Sequence, residues 1–199
     1  MGTLGYYIVD TQGNTLASNE THLIGRKNPI FKANPALFNS SLNGKTGFIP
    51  PSKFIIEDEN QSGKNEHFLF ITSPINNAEG NTIGLFMRKY APLRDFSPIL
   101  QNARLLESGE SYAFSKQGLL LSNSRFDKEL ELAGLLQPGE LSALNIQVRN
   151  PGINLIEHPS PINIINKPLT LMAESATAGK KGYNTEGYSD YRGVPVYGA

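Results

Sequence analysis

The sequence predicts an α+β protein built from two similar modules in tandem, residues 1–95 and 96–199. Two observations carry this prediction: a strand-turn-strand segment that recurs at an offset of 105 residues, and a second hairpin pattern that comes late in each half. A third observation is a stretch of helical periodicity between the halves. Each module is therefore expected to be a mainly antiparallel sheet with flanking helices.

The first repeated segment reads YYIVDTQGNTLASN at residues 6–19 and SYAFSKQGLLLSNS at residues 111–124. Each copy is a short apolar run, a polar turn with a glycine, and a second apolar run, a pattern typical of two strands joined by a tight turn. The two copies therefore predict the opening hairpin of each module. The matched residues are Tyr7 with Tyr112, Gln12 with Gln117, Gly13 with Gly118, and Leu16 with Leu121.

The second hairpin reads HFLFITSPINNAEGNTIGLFMRKY at residues 67–90 and GYNTEGYSDYRGVPVYGA at residues 182–199. Ten residues follow the turn glycine Gly80 up to Tyr90, whereas six follow Gly193. We therefore expect the second module to be incomplete at its C-terminal end. The alternative is that the chain finishes with a short edge strand.

A helix is predicted between the modules, where apolar residues recur at helical spacing from Phe96 to Leu106 after a Ser-Pro start, with Gly109 as a stop. Shorter helices are expected over residues 127–136 and 139–144. Residues 150–168, rich in Pro and Asn, are expected to form a loop. The polar residues 58–66 are expected to form a hairpin tip or an exposed loop.

The segments GESYAFSKQGLLLSNSRF at 109–126 and GYSDYRGVPVYGA at 187–199 closely resemble the membrane-proximal half of double Cache domains, which are PAS-like extracytoplasmic sensor domains of bacterial receptors. The first module matches that family more loosely. The resemblance implies two tandem PAS-like modules that sense a small organic ligand in the periplasmic part of an inner-membrane protein. A histidine kinase, chemoreceptor or nucleotide cyclase would all fit, anchored to the membrane in the full-length protein. A homodimer would fit as well.

Several chemistries find no support in the sequence. The net charge is zero, so the basic footprint of nucleic-acid binding is missing. The chain has no cysteine, and its three histidines, His22, His67 and His158, stand far apart without a ligand-spaced partner. No serine-nucleophile motif occurs. We therefore predict a non-enzymatic protein with no catalytic residue, no metal and no cofactor.

Binding residues in the first module are predicted from strand alternation. If residues 82–90 form a strand, Phe86, Arg88 and Tyr90 share one face, and an arginine between aromatic rings can hold a carboxylate or phosphate in two parallel hydrogen bonds. The alternative is that Arg88 pairs with an acid such as Asp95. The predicted ligand-binding residues are Tyr7, Phe70, Thr72, Phe86, Arg88 and Tyr90, and the ligand is expected to be anionic.

The second module offers analogous candidates, with an alternative in which Asp190 forms a structural ion pair with Arg125 or Arg192. The alternative function for the whole chain is a ligand-free module that dimerises or docks another protein. The candidates are Tyr112, Ser122, Arg125, Tyr188 and Asp190.

Overall fold

The structure is a computed structural model that describes residues 2–58, 61–103, 107–160 and 163–198. It divides into two compact units, Met1–Asp95 and Phe96–Ala199. The fold class is α+β, as predicted, because an antiparallel sheet and several short helices make up the described residues.

The first unit is built on a five-stranded antiparallel sheet with the strand order β2-β1-β5-β4-β3. Short helical segments lie in the chain between β2 and β3, and a π-helical turn, Pro92–Phe96, follows β5. The elements are β1 (Gly5–Asp10), β2 (Thr15–Ser18), a 3-10 helix (Thr21–Leu23), α1 (Pro29–Ala33), α2 (Pro35–Leu42), β3 (Gly47–Asp58), β4 (Gln61–Asn76) and β5 (Thr82–Tyr90).

The two α-helices of the first unit begin at residues that favour a helix start. Each has proline at its start, a position at which the missing N–H leaves no hydrogen bond unmade. The buried Asn28 caps α1 by accepting a hydrogen bond from the amide of Ile30 at 3.0 Å. These helices contribute to one apolar core, formed by Tyr7, Val9, Ile30, Phe38, Ile49, Phe68, Phe70, Leu85 and Met87.

One turn geometry occurs four times among the described residues. In each turn the first residue accepts a hydrogen bond at its carbonyl from a glycine amide three residues later, and its side chain accepts one from the amide four residues later. All four glycines have positive φ, between 80° and 88°. The predicted hairpin turns are therefore present. They begin at Asp10, Asn77, Ser115 and Asp190, with Gly13, Gly80, Gly118 and Gly193 as the glycines.

The second unit contains less regular structure than predicted. Its first hairpin and the segments that join it make single bridges, Phe114 with Leu120, Leu119 with Gln147, and Arg149 with Leu169. Among the described residues of this unit, only the last hairpin forms a two-stranded ladder. The elements are α3 (Ser97–Gln101), α4 (Asp127–Leu132), a 3-10 helix (Ile164–Asn166), α5 (Leu171–Thr177), β6 (Asn184–Ser189) and β7 (Pro195–Gly198).

Three helix predictions need correction. The helix expected from Phe96 is only α3, with its last predicted position, Leu106, outside the described residues. The helix expected over 127–136 ends at Leu132, because Gly134 takes a left-handed φ of 75° and stops it. Residues 139–144 form turns rather than a helix. The expected loop at 150–168 is confirmed over its described part, apart from the 3-10 turn. In the stretch 58–66, residue 58 ends β3 and residues 61–66 begin β4, and 59 and 60 lie outside the described residues.

Candidate functional site

The sheet of the first unit has two distinct faces. We call the inner face the side that carries Tyr7 on β1, Phe70 and Thr72 on β4, and Met87 and Lys89 on β5; all five side chains are buried. The cross-strand register joins them, because Tyr7 and Thr72 both lie opposite Met87 and Phe70 lies opposite Lys89. Residues directly opposite each other in a sheet point to the same side. The inner face is therefore continuous across the three strands.

The outer face carries the arginine on which the sequence prediction centred. Arg88 is exposed, and its cross-strand neighbours are Tyr6 and Ile71. Phe86 lies on the same side, two residues along β5. Tyr90 follows by the same alternation, and the Arg88 guanidinium carbon is 5.5 Å from the centre of its ring. The predicted grouping of these three residues on one face is confirmed.

The wider predicted set is not brought together. Tyr7, Phe70 and Thr72 lie on the inner face, whereas Phe86 and Arg88 lie on the outer face, so one ligand cannot contact all of them through the sheet. The alternation along each strand was correct, but the register between strands places Lys89, and not Arg88, beside the three inner residues. This part of the prediction is wrong.

The predicted alternative partner of Arg88 is engaged elsewhere. The carboxylate of Asp95 accepts a hydrogen bond from Arg94 at 2.8 Å and another from the amide of Ala91, and the bond from Arg94 lowers the pKa of Asp95. Within the described ranges Arg88 takes part in no ion pair. Its charge is left to solvent and to the ring of Tyr90.

A buried ion pair marks one end of the inner face. The ammonium Nζ of Lys89 lies 2.7 Å from the Oε1 of Glu20, with side chains 8% and 24% exposed respectively. The same Nζ lies 3.7 Å from the centre of the Phe68 ring, a cation–π contact. Glu20 comes from the loop after β2, just before the 3-10 helix. The charge of Lys89, the penultimate residue of β5, is thereby neutralised by Glu20, which lies 69 positions earlier in the chain.

Tyr7 completes this polar cluster. Burial together with the negative charge of the nearby Glu20 raises the pKa of Tyr7 well above its ordinary value. The phenol therefore stays protonated at any physiological pH and acts as a donor. Glu20 thus accepts a hydrogen bond from the Lys89 ammonium, and the Tyr7 phenol lies near the same carboxylate.

Aromatic rings form the wall next to the ion pair. Phe70 lies 6.2 Å from Tyr7 and 6.3 Å from Phe68, measured between ring centres. Phe54 on β3 meets Phe70 edge-on at 5.4 Å. A cation, an anion and a phenol therefore stand beside three phenylalanine rings, an arrangement that matches the mixture of apolar walls and few polar groups in small-molecule sites.

Thr72 has a structural partner. Its hydroxyl lies 2.6 Å from the hydroxyl of Ser41 in α2, and both side chains are buried. A side chain at Gly47 would meet both hydroxyls, because a Cβ there would lie 2.5 Å from Thr72 Oγ1 and 2.7 Å from Ser41 Oγ. Glycine at this position allows the helix to approach β4, and Thr72 fixes the contact.

The second unit contains a buried network around Glu110. Its carboxylate accepts hydrogen bonds from the hydroxyl of Tyr191 at 2.7 Å, the hydroxyl of Ser124 at 2.6 Å and the amide of Arg125 at 2.9 Å. Burial raises the pKa of Tyr191, so the phenol remains a donor. The network ties the last hairpin to the segment that follows the first one.

Charged residues of the last hairpin are also paired within the unit. Arg192 bonds Asp190 at 2.8 Å and Glu129 at 2.7 Å, and its guanidinium carbon lies 3.6 Å from the centre of the Phe126 ring. The structure therefore realises the structural ion pair that the sequence offered as an alternative for Asp190, with Arg192 as the partner. Arg125 instead donates to the carbonyl of Gly109 at 2.7 Å.

The remaining predicted residues of the second unit also lie in its framework. Ser122 is buried and accepts a hydrogen bond from the amide of Ala113 at 3.0 Å. Tyr112 packs edge-on against Tyr191 with ring centres 5.6 Å apart. Tyr188 is half-buried in β6 opposite Val196, and burial raises its pKa. The structure thus gives these candidates internal contacts.

An open cleft of about 540 Å³ lies in the second unit. One of its lining residues, Asp127, has a buried Oδ1 atom without a hydrogen-bond partner among the described residues. Burial raises the pKa of Asp127 despite hydrogen bonds from Ser142. The cleft is lined by Gln101, Ser124, Arg125, Phe126, Asp127, Lys128 and Glu129.

Two features are absent from the described residues. Within the part of the chain that the structure describes, His, Asp and Glu side chains nowhere gather in a group of three that could hold a metal ion. None of the helices in the described ranges is long and apolar enough to cross a membrane.

No protein-family model matches the chain, and no curated protein matches it in sequence. Among solved structures, the chain is similar to the periplasmic sensory domain of the Campylobacter jejuni chemoreceptor Tlp1, with 13% identity over 98% of this chain and 65% of that one, and a TM-score of 0.46. It is also similar to the periplasmic domain of RsbU from Chlamydia trachomatis, with 11% identity over 94% and 60%, and a TM-score of 0.42.

A third similar structure is the ligand-binding domain of the Pseudomonas fluorescens chemoreceptor CtaA in complex with L-valine, with 16% identity over 64% of this chain and 52% of that one, and a TM-score of 0.41. The chain thus spans between 52% and 65% of the length of these three structures. All three TM-scores lie below 0.5.

Proposed function

We propose that this chain is a small-molecule-sensing module of a bacterial transmembrane receptor and that the inner face of its first unit binds a small organic ligand. The observation that carries the proposal is the buried Lys89–Glu20 pair beside the aromatic wall. The extracytoplasmic placement, the membrane anchor and a possible homodimer follow from the resemblance of residues 109–126 and 187–199 to double Cache domains.

The buried pair argues for binding because stability alone does not favour it. Removing two charges from water costs several kcal/mol per ion, and an apolar pair of similar volume often serves a fold equally well or better. Lys89 nevertheless lies on an inner face whose other residues are mostly aromatic and aliphatic, and Glu20 reaches it from the loop after β2. A charged side chain beside aromatic rings, such as Lys89 beside Phe68, can orient a polar ligand in a binding site.

Binding without turnover is the proposed chemistry. Among the hydrogen bonds of the described residues, none joins a serine or threonine hydroxyl to a histidine, so no activated nucleophile supports an enzymatic alternative. A sensor needs only a ligand that prefers one of two conformations, since that differential affinity shifts the population between them. The output would be a conformational change passed to the rest of the receptor.

Two neighbouring residues of β5 provide a matched test. Lys89 lies on the inner face and Arg88 on the outer face, so Lys89→Met and Arg88→Met remove the same charge from opposite sides of one strand. Organic acids, amino acids, amines and nucleobases are screened by thermal shift, and hits are titrated by calorimetry. A compound at about 100 times its Kd adds about 2.7 kcal/mol of stability.

The proposal predicts that a hit loses binding in Lys89→Met and keeps it in Arg88→Met. The sequence-based prediction, in which Arg88 holds an anionic ligand, expects the reverse. Binding that survives in a folded Lys89→Met protein would refute the inner-face site. If no compound of the panel binds, the result would count against sensing of these compound classes.

A second candidate function, docking or dimerisation without a ligand, is favoured by the outer face. Phe48, Ile71 and Tyr6 are 47%, 38% and 40% exposed there, in one cross-strand row with Arg88. Neighbouring exposed apolar side chains can mark an interaction surface. Sedimentation of the chain and of Ile71→Asp tests it: a dimer that Ile71→Asp dissociates supports docking, and a monomer at all concentrations removes dimerisation.

A further inference from the structure

Glu20 occupies the position on Lys89 that an anionic ligand would have to take. Its carboxylate approaches the ammonium at 2.7 Å, and of the two side chains the glutamate is the more exposed. The phenol of Tyr7 lies near the same carboxylate. An anion that binds the Lys89 ammonium in the same place therefore competes with this carboxylate.

The side chain of Glu20 is free to leave because the local backbone does not depend on it. The amide of Glu20 donates to the hydroxyl of Ser18 at 2.9 Å, and its carbonyl accepts from the amide of Leu23 at 3.0 Å. Its side chain makes no capping hydrogen bond to the 3-10 helix that follows. Rotation of the side chain thus leaves the loop's backbone hydrogen bonds in place.

We infer that Glu20 is an internal stand-in for the ligand of the first unit and that this ligand is a small carboxylate which displaces Glu20 from Lys89. This rests on the proposed function. A carboxylate fits because charge-assisted hydrogen bonds to an ammonium are short and strong. Phe68 and Phe70 would cover the apolar part of the molecule, and the freed Glu20 side chain would turn to solvent.

The stand-in sets the concentration range of the sensor. Apparent affinity equals the intrinsic affinity multiplied by the fraction of molecules whose site is open. If Glu20 occupies Lys89 in about 90% to 99% of molecules, a ligand binds about 10- to 100-fold more weakly than it would to an empty site. Removal of the Glu20 carboxylate should therefore tighten carboxylate binding by that factor.

Glu20→Ala offers a direct test because the atoms it deletes, a methylene and a carboxylate, are those of acetate. Acetate and propionate are titrated against the 199-residue chain, and Kd is derived from thermal unfolding curves at constant ionic strength. Acetamide is the uncharged probe of the same shape. Glu79→Ala, which deletes an exposed carboxylate in the β4–β5 turn, is the matched control.

We expect acetate to stabilise Glu20→Ala with a saturable dependence and a Kd at least about tenfold lower than for the wild-type chain. Acetamide should have no such effect, and the double variant Glu20→Ala, Lys89→Met should lose the response to acetate. If acetate affects Glu20→Ala no more than Glu79→Ala, or acetamide acts as well as acetate, the inference is overturned. If Glu20→Ala fails to fold, Glu20→Gln, which keeps the shape and removes the charge, undergoes the same titration with the same criteria.

The outcome separates this inference from the proposed function. A neutral or cationic hit whose binding depends on Lys89 would keep the sensing proposal and refute the carboxylate stand-in. Acetate binding to Glu20→Ala, with no organic acid binding to the wild-type chain at any accessible concentration, would refute the sensing proposal and with it the ligand role assigned here.

Discussion

Lys89→Met should destabilise the first unit far more than Arg88→Met. The Lys89 ammonium is 8% exposed, and its deletion leaves the Glu20 carboxylate, 24% exposed, without its cation. Breaking a buried pair by removing one partner costs about 3 to 5 kcal/mol. Because the Glu20 carboxylate is partly exposed, water hydrates it and reduces this loss of stability. The lost cation–π contact between Lys89 and Phe68 increases it. We expect a net loss of about 2 to 4 kcal/mol in the free energy of unfolding.

The double variant Lys89→Met, Glu20→Leu should recover most of that loss. Both charges are then gone, and replacing a whole buried pair with apolar side chains is often neutral or stabilising. Methionine also retains a favourable contact with the Phe68 ring. We expect the double variant to lie within about 1 kcal/mol of the wild-type chain.

Urea unfolding followed by far-UV circular dichroism measures these differences. The chain has no Trp, so tyrosine fluorescence serves as the second probe. Arg88→Met, on the exposed side of the same strand, should change stability by less than about 0.5 kcal/mol. A Lys89→Met protein as stable as Arg88→Met, or a double variant as unstable as the single one, would refute the assignment of Lys89 as a buried, paired charge.

Three further predictions use matched variants in urea unfolding. Gly80→Ala should lower the free energy of unfolding by about 1 to 2 kcal/mol, because the glycine has a positive φ. Gly193→Ala should lower it further, because a Cβ there would also lie 1.8 Å from a backbone carbonyl oxygen. Equal losses of stability in the two variants would contradict this. Tyr191→Phe should cost about 1.5 to 3 kcal/mol through its lost hydrogen bond to a carboxylate, whereas Tyr197→Phe, 75% exposed, should be neutral, and a neutral Tyr191→Phe would contradict the buried network. Asp127→Asn should raise the free energy of unfolding at pH 7, because burial raises the pKa of Asp127 in the folded state and its ionisation therefore opposes folding above that pKa. This gain in stability should fade toward about pH 4, where the acid is protonated. A gain that grows on acidification would contradict this.

The parts of the fold that were predictable from sequence are those fixed by local chemistry. The turns with Gly13, Gly80, Gly118 and Gly193 were predictable because their signal lies within five residues. It consists of a polar residue whose side chain accepts a hydrogen bond from the amide four residues later, and of a glycine with positive φ between them. The strand β5 was found because side-chain alternation has a period of two.

The candidate site was only half predictable for a physical reason. Alternation tells which residues share a face but not what stands opposite them on the neighbouring strands, so Arg88 was grouped with Tyr7 and Phe70 instead of Lys89. A lysine in β5 also looks like a solvent-facing residue. Its burial depends on Glu20, whose position is set by the β1–β2 hairpin and the loop after it. No local pattern in the sequence carries that information.

The second unit deviates from prediction where its strands are interrupted. The first hairpin there was expected to pair as regularly as β1 with β2, yet it joins its neighbours through single bridges. The segments it meets contain Pro151 and Pro168, and proline cannot donate to a ladder. Asn150 continues the pairing by donating to the carbonyl of Pro168 at 2.9 Å, the group that proline retains.

The two units hold their buried cations in different ways, and the difference is the reason that we propose the ligand site in the first. Arg192 is bonded by two carboxylates and stacked on Phe126, so an incoming anion would have to replace partners on two sides at once. Lys89 meets one carboxylate in the described structure, carried by a side chain whose backbone does not depend on it. A single exchange is enough to open Lys89, whereas Arg192 is locked into the last hairpin. Ligand exchange is therefore expected at Lys89 in the first unit and not at Arg192 in the second.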